Sequence, residues 1–159
     1  MEAFKLVGNF IRWSVLAGGA GALVMVLVLW IFTISKLANA KMVLAVGSLI
    51  TRRYERAIMV GSVIHAFLGV FFGECYAFVL MGINHPGIGP NLIMGAGIGM
   101  FHGLIMSMVL VVSVAESHPL EEFQERGYAI ALSHWVAHVF YGATVGAIIG
   151  ASGLIGAGA

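Results

Sequence analysis

Four long apolar runs dominate this chain and limit what it can fold into. Each is about as long as a helix needs to cross the hydrocarbon core of a bilayer, about 20 residues. They cover about residues 14–35, 57–81, 92–115 and 128–149, and polar or Gly/Pro-rich sequence ends each one. Of the 159 residues, 60% are hydrophobic and only 9% are charged, which leaves no soluble domain of useful size. The sequence therefore predicts a single all-α integral membrane domain, a four-transmembrane-helix bundle.

A shorter apolar segment lies between the first two runs, over about residues 37–50. Its apolar part is about 13 residues long, which is too short to cross a bilayer as a helix. Basic residues stand on both sides of it. We therefore predict a short interfacial or re-entrant helix.

Basic residues near the membrane predict the orientation of the bundle, because Lys and Arg are enriched on the cytoplasmic side. One side of the predicted bundle has Lys36, Lys41, Arg52, Arg53, Arg56 and Arg126. The other side has only Lys5 and Arg12. We therefore expect both termini on the outer side of the membrane, and we expect a bacterial inner membrane protein.

Glycines recur at nearly every fourth position in three of the runs, and such stripes let helix backbones approach closely in lipid. The residues concerned are Gly61, Gly69, Gly73, Gly95, Gly99, Gly103, Gly142, Gly146 and Gly150. Residues four apart lie on the same face of a helix. These stripes predict packed faces, either within this chain or against other membrane subunits or a second copy.

Four histidines lie on or next to the same faces. They are His65, His102, His134 and His138. Counted at 1.5 Å per residue from the cytoplasmic ends of the runs, they lie roughly 9 to 20 Å deep. Three helices therefore bring four imidazoles to one slab of the membrane.

Imidazoles at this depth predict a bound cofactor, since ionisable side chains inside a membrane are costly and commonly functional. Neutral imidazole is a frequent ligand of iron, copper and zinc. The spacing of His134 and His138 suits two ligands on one bare ion, whereas haem b would take one imidazole from each of two helices. Both cofactors stay open at this point, as does the alternative that the histidines only form hydrogen bonds between helices.

Two further residues are predicted to handle protons or ions inside the bundle. Glu74 is the one carboxylate well inside a run, and we expect it to be buried with Tyr141 or His85 as its partner. Its neighbour Cys75 is the single cysteine, so no intrachain disulfide can form. We expect that thiol to be buried and structural.

The acidic connection after the third run is a candidate site where a cation would first bind. Glu116 and His118 lie at the end of that run, and Glu121, Glu122 and Glu125 follow them. Their negative field would attract cations. The alternative is an ordinary solvated connection.

The sequence contains no P-loop, no nucleotide fingerprint, no nucleophile elbow and no basic, aromatic surface for nucleic acid. Aspartate is absent altogether. We therefore expect a cofactor-binding or accessory subunit of a redox or respiratory-type membrane complex rather than a self-sufficient enzyme. The alternatives are a structural or assembly subunit and a small metal-ion carrier.

Overall fold

The computed structural model describes residues 2–109, 115–124 and 127–155, and all regular structure in these ranges is helical. The helices are α1 (Glu2–Ile34), α2 (Met42–Thr51), α3 (Ala57–Ile83), α4 (Ile88–Val109), α5 (Ala115–Ser117) and α6 (Tyr128–Ala151). A 3-10 turn, Glu121–Phe123, lies between α5 and α6.

Four of these helices, α1, α3, α4 and α6, are long and apolar enough to cross a membrane. The predicted four-helix membrane bundle is therefore confirmed. The additional helix α2 has 10 residues and is about 15 Å long, which is too short to cross. Residues 110–114, which the sequence assigned to the third span, lie outside the described ranges.

The helix ends differ from the apolar runs for local reasons. Helix α4 begins at Ile88, ahead of the predicted residue 92. Pro90 is accommodated there because the first turn of a helix needs no backbone donor at that position. Helix α3 ends where Asn84 adopts a left-handed conformation (φ 52°) and its backbone N–H bonds the carbonyl of Leu80. Asparagine tolerates that conformation better than most residues.

The spanning helices pack side by side, with α1 between α3 and α6. Helix α4 lies against α6, and the short α2 lies against α3. The outward faces expose large apolar side chains, such as Phe78 (74% exposed) and Ile93 (71% exposed). Such faces match the hydrocarbon of a bilayer.

The glycine stripes are buried where helices of this chain meet. A Cβ on Gly99 of α4 would strike the carbonyl oxygen of His138 on α6, and one on Gly142 would strike the carbonyl of Gly95. On the other side of α1, Gly18 meets Gly69 and Gly73 of α3. Helix backbones are therefore in direct contact along an α4/α6 seam, which we define by Gly95, Gly99, Gly103, His138, Gly142 and Gly146.

Candidate functional site

A cavity of about 120 Å³ lies at the level where α1, α2, α3, α4 and α6 meet. Most of its wall is apolar. Four polar side chains reach it, namely His65 of α3, His102 of α4, and His138 and Tyr141 of α6. We call this space the histidine cavity. Three of the four imidazoles predicted to converge therefore line one space inside the bundle.

Two of these rings are in direct contact. The ring centroids of His102 and His138 lie 5.0 Å apart, and their planes are nearly perpendicular at 78°. The α4/α6 seam permits this approach, because Gly99 and Gly103 of α4 pack onto the backbone and Cβ of His138. A larger residue at either glycine would separate the two helices. The seam thus positions the histidine pair.

His102 has one bonded and one unbonded ring nitrogen. Its Nδ1 lies 2.9 Å from the hydroxyl oxygen of Tyr76 on α3, and its ring packs against that of Phe72, with centroids 4.4 Å apart. Its Nε2 is buried and has no hydrogen-bond partner among the described residues. Buried polar atoms in proteins almost always have a partner, so this nitrogen is a candidate ligand.

His138 is oriented by its own helix. Its Nδ1–H donates to the backbone carbonyl of His134 at 2.8 Å. That bond leaves the lone pair on Nε2, which is the arrangement common in metal-binding histidines. His138 is 7% exposed and, as a wall of the histidine cavity, is available only to something inside the bundle.

The fourth predicted imidazole, His134, does not line the histidine cavity. Its Nδ1–H donates to the carbonyl of Ile130 at 2.9 Å, and its Nε2 is buried without a partner among the described residues. In the part of the chain that the structure describes, no group of three or more His, Cys, Asp or Glu side chains is arranged to hold a metal ion. The structure therefore presents a histidine pair and not a four-histidine cluster.

The two residues predicted to handle protons have other surroundings. Tyr141 donates its hydroxyl to the backbone carbonyl of Gly69 at 2.7 Å instead of to Glu74. Glu74 is half-buried on α3. The prediction of a buried Cys75 was wrong, since this thiol is exposed on the outward face of α3.

His118, predicted to take part in cation binding, is built into the loop. It is 2% exposed. Its Nε2–H donates to the carbonyl of Ala45 at 3.0 Å, and its Nδ1 accepts the backbone N–H of Leu120 at 3.1 Å. Glu116 is exposed on α5, and Glu125 lies outside the described residues. The Nε2 atom of His118 thus fastens the loop to α2, while its Nδ1 braces the loop itself.

Glu122 makes a second tie between this loop and the α2 region. It accepts hydrogen bonds from Lys41 Nζ at 2.6 Å, from the Tyr54 hydroxyl at 2.5 Å and from Asn39 Nδ2. The hydrogen bonds from Lys41 and Tyr54 hold the pKa of Glu122 below its usual value. The hydrogen bond between Tyr54 and Glu122 also raises the pKa of Tyr54, because removing the phenol proton would place two anions together.

Sequence reasoning missed two buried polar residues. Tyr76 holds His102, and it lies three residues after Gly73 on the packed face of α3. Asn91 is fully buried, and its Nδ2 donates to the carbonyls of His85 and Gly87, both at 2.7 Å. Both positions lie on or beside glycine stripes, which was the signal that could have revealed them.

Comparison with protein-family models, with curated proteins and with solved structures finds no match to this chain. Its function is therefore inferred from the geometry of its own residues.

Proposed function

We propose that this chain is a small membrane subunit of a redox or respiratory-type complex and that it binds one transition-metal ion between His102 and His138. The observation that carries this proposal is the contact of the two imidazoles inside the bundle, with ring centroids 5.0 Å apart. Ionisable side chains inside a membrane are costly and mark functional sites by default. Two of them, on different helices and in contact, are best explained by something that binds both.

The hydrogen bonds of the pair support metal ligation. The bond from His138 Nδ1–H to the His134 carbonyl leaves Nε2 as an electron-pair donor. If His102 likewise donates Nδ1–H to the Tyr76 hydroxyl, its unpartnered Nε2 is a second electron-pair donor. Tyr76 would then act as the outer partner that metal-binding histidines usually have.

The spacing favours a bare ion over haem b. Two imidazoles bound at about 2.0–2.1 Å to one tetrahedral ion have ring centroids about 5 Å apart. Haem would instead need a flat slot between two imidazoles, and His102 and His138 are already in contact. The histidine cavity, at about 120 Å³, is also well below the range of about 300–1,000 Å³ usual for small-molecule pockets. For a redox role, iron or copper is favoured, since zinc has no redox chemistry.

The histidine cavity could complete the coordination of such an ion. A buried water needs about 10–15 Å³ of this kind of volume, so the cavity has room for several waters beside an ion. His65 lines the same cavity but forms no three-ligand group with the pair, so waters or other small ligands would supply the remaining coordination. Tyr76, next to the pair, replaces Tyr141 as the hydroxyl placed to exchange a proton with His102.

A structural or assembly subunit is the second candidate, because each of the four imidazoles makes at least one hydrogen bond within the chain. That function leaves the buried Nε2 atoms of His102 and His134 without a role. It also needs docking surfaces other than the glycine faces, which are engaged within the chain. We do not propose a metal-ion carrier, since both ring nitrogens of His118, the predicted entry-site ligand, already form hydrogen bonds within the protein.

The proposed location is a bacterial inner membrane, with both termini on its outer side. Four candidate spanning helices support an integral membrane protein. Exposed basic residues support the orientation, since Lys36, Arg52, Arg53 and Arg56 all lie at the ends of α1, α2 and α3 that meet on one side.

The test is metal analysis of the protein purified from its native membrane in mild detergent. We expect about one iron or copper ion per chain, with at least a tenfold loss of occupancy in both His102→Ala and His138→Ala. His85→Ala is the matched control, because His85 is exposed in the α3/α4 turn. Helical content by circular dichroism shows whether each variant is folded. A metal-free wild type, or metal retained in both variants, would overturn the proposal, and a Soret band lost in both would indicate haem.

A further inference from the structure

A second and larger cavity, of about 670 Å³, lies between α1, α2 and α3. Three residues at its edge are open to the surroundings, namely Leu23 (69% exposed), Trp30 (57%) and Ile58 (64%). Helices α1 and α3, which carry these three residues, are long and apolar enough to cross the membrane, so this opening faces lipid. We call this space the lateral crevice. A ligand can therefore enter it from the bilayer.

The lateral crevice is long and narrow. Its wall on α1 extends from Gly19 to Thr33, about 21 Å along the helix axis. Its wall on α3 extends from Ile58 to Val70, about 18 Å. Its volume falls within the range of about 300–1,000 Å³ that is usual for small-molecule sites. It suits an elongated ligand with an apolar body.

Small residues line the lateral crevice near the level of His65. Gly19, Ala22 and Ala66 all line it. A Cβ built on Gly19 would meet nothing within 4 Å, so this glycine is not needed for helix packing. The absence of side chains here leaves space for a flat ring beside His65, which lines the crevice at the same level.

His65 provides one polar atom at this depth. Its Nε2–H donates to the carbonyl of Ala22 at 3.1 Å, so its Nδ1 carries the lone pair. No hydrogen bond to Nδ1 occurs within the described ranges. The imidazole lines both the lateral crevice and the histidine cavity. It therefore offers an acceptor to a ligand that carries a hydroxyl donor.

We propose that the lateral crevice binds a lipid-soluble hydroquinone, with a ring hydroxyl donating to His65 and an apolar tail extending towards the lipid. His65 lies eight residues into α3, roughly 12 Å from its start. A sterol would keep its hydroxyl at the headgroup level, and a phospholipid acyl chain has no donor to offer at this depth. This site does not depend on the proposed metal pair, so each proposal can fail alone.

The test uses Trp30, which lines the lateral crevice, as the reporter. In a Trp13→Phe, Trp135→Phe background, the protein is placed in vesicles of phosphatidylcholine with dibrominated acyl chains, which quench tryptophan fluorescence. A short-tailed alkyl hydroquinone is then added. We expect a saturable recovery of fluorescence as it displaces brominated chains. The corresponding oxidised quinone, which has no hydroxyl donor, should bind several-fold more weakly.

Two variants separate binding from simple partitioning into lipid. His65→Phe keeps a ring but removes the acceptor, and we expect about a three- to tenfold weaker affinity. Gly19→Leu fills the crevice without touching His65 and should abolish the recovery. Gly97→Leu is its control, because Gly97 also has no neighbour within 4 Å of a Cβ but lies on α4 away from the crevice.

Two outcomes would overturn the proposal. If fluorescence does not recover, or recovers equally in His65→Phe and Gly19→Leu, the hydroquinone does not occupy the lateral crevice. If cholesterol gives the same recovery with the same sensitivity to His65→Phe, the crevice is a sterol site instead.

Discussion

The imidazole of His102 lies edge-on against the imidazole of His138, with ring centroids 5.0 Å apart at an interplanar angle of 78°. The two residues belong to neighbouring helices, α4 and α6, whose backbones touch along the α4/α6 seam. The separation of the rings therefore depends on how closely these two helices approach. Substitutions in the α4/α6 seam should therefore change both the stability of the bundle and the separation of the two imidazoles.

Gly99→Ala should destabilise the bundle by about 1–3 kcal/mol, the usual cost of overpacking. The added Cβ would strike the His138 carbonyl, which belongs to a helix backbone and cannot turn away. Unfolding in a denaturing detergent titration would measure the change. Gly97→Ala, on the open face of the same helix, should leave stability nearly unchanged. Equal effects of the two substitutions would contradict this account of the seam.

Tyr76→Phe should weaken metal binding about 10- to 100-fold, the usual effect of removing the outer partner of a metal-binding histidine. The hydroxyl lies 2.9 Å from His102 Nδ1, and phenylalanine would keep the ring packing. Equilibrium competition with a chelator would give the affinity. Tyr128→Phe is the control, because that tyrosine is 97% exposed. If both variants bind metal as the wild type does, Tyr76 has no part in ligation.

Acid should loosen the loop that Glu122 ties to the α2 region. The pKa of Glu122 is lowered in the folded protein, so its contribution to stability is present above its unfolded pKa of about 4.3 and is lost as the pH falls through the lower, folded value. Hydrogen exchange over residues 37–41 and 118–124, corrected for the intrinsic effect of pH, should therefore increase below about pH 4.

Glu122→Gln should produce the same loosening at neutral pH, because the amide removes the charge that Lys41 and Tyr54 contact. Glu121→Gln, at the exposed neighbouring position, should have little effect. If exchange in Glu122→Gln matches that of the wild type at neutral pH, the carboxylate does not hold the loop.

His118→Ala should destabilise the protein by about 1–3 kcal/mol, the cost of leaving buried polar groups without partners. The substitution would leave the N–H of Leu120 without its partner and would remove the bond to the carbonyl of Ala45, which keeps the Ser48 hydroxyl as a donor. Thermal unfolding in detergent would measure the loss, with His85→Ala as the exposed control. A His118→Ala protein as stable as the control would show that the histidine is dispensable to the loop.

The fold was predictable from sequence because a lipid environment permits few backbone structures. A run of about 20 apolar residues in a bilayer must be helical to satisfy its backbone. The length of α2 could likewise be judged too short to cross. What the runs could not give was where helices begin and end, since α4 already begins at Ile88 with Pro90 in its first turn, and α3 ends where Asn84 adopts a left-handed backbone conformation.

The histidine cavity was predictable only in part. The glycine stripes gave the correct direction for His65, His102 and His138, because a residue four positions away shares a helix face. His134 is likewise buried, at 4% exposed, but it does not line the cavity. Each step of four residues rotates by about 40° beyond a full turn, so a stripe drifts around its helix. The hydrogen-bond partners of the histidine rings could not be predicted from the sequence. The Tyr76 hydroxyl and the carbonyls of His134 and Ala22 depend on side-chain rotamers and on the depth at which helices meet.

Because Gly99 packs against the main chain of His138, the two helices are held together by atoms that every amino acid possesses. Ring chemistry at positions 65, 102 and 138 is thus largely separate from the forces that assemble the bundle. The same framework could host different side chains at these positions over evolution while keeping its architecture. For protein engineers, the α4/α6 seam is a scaffold on which other pairs of metal-binding side chains can be placed.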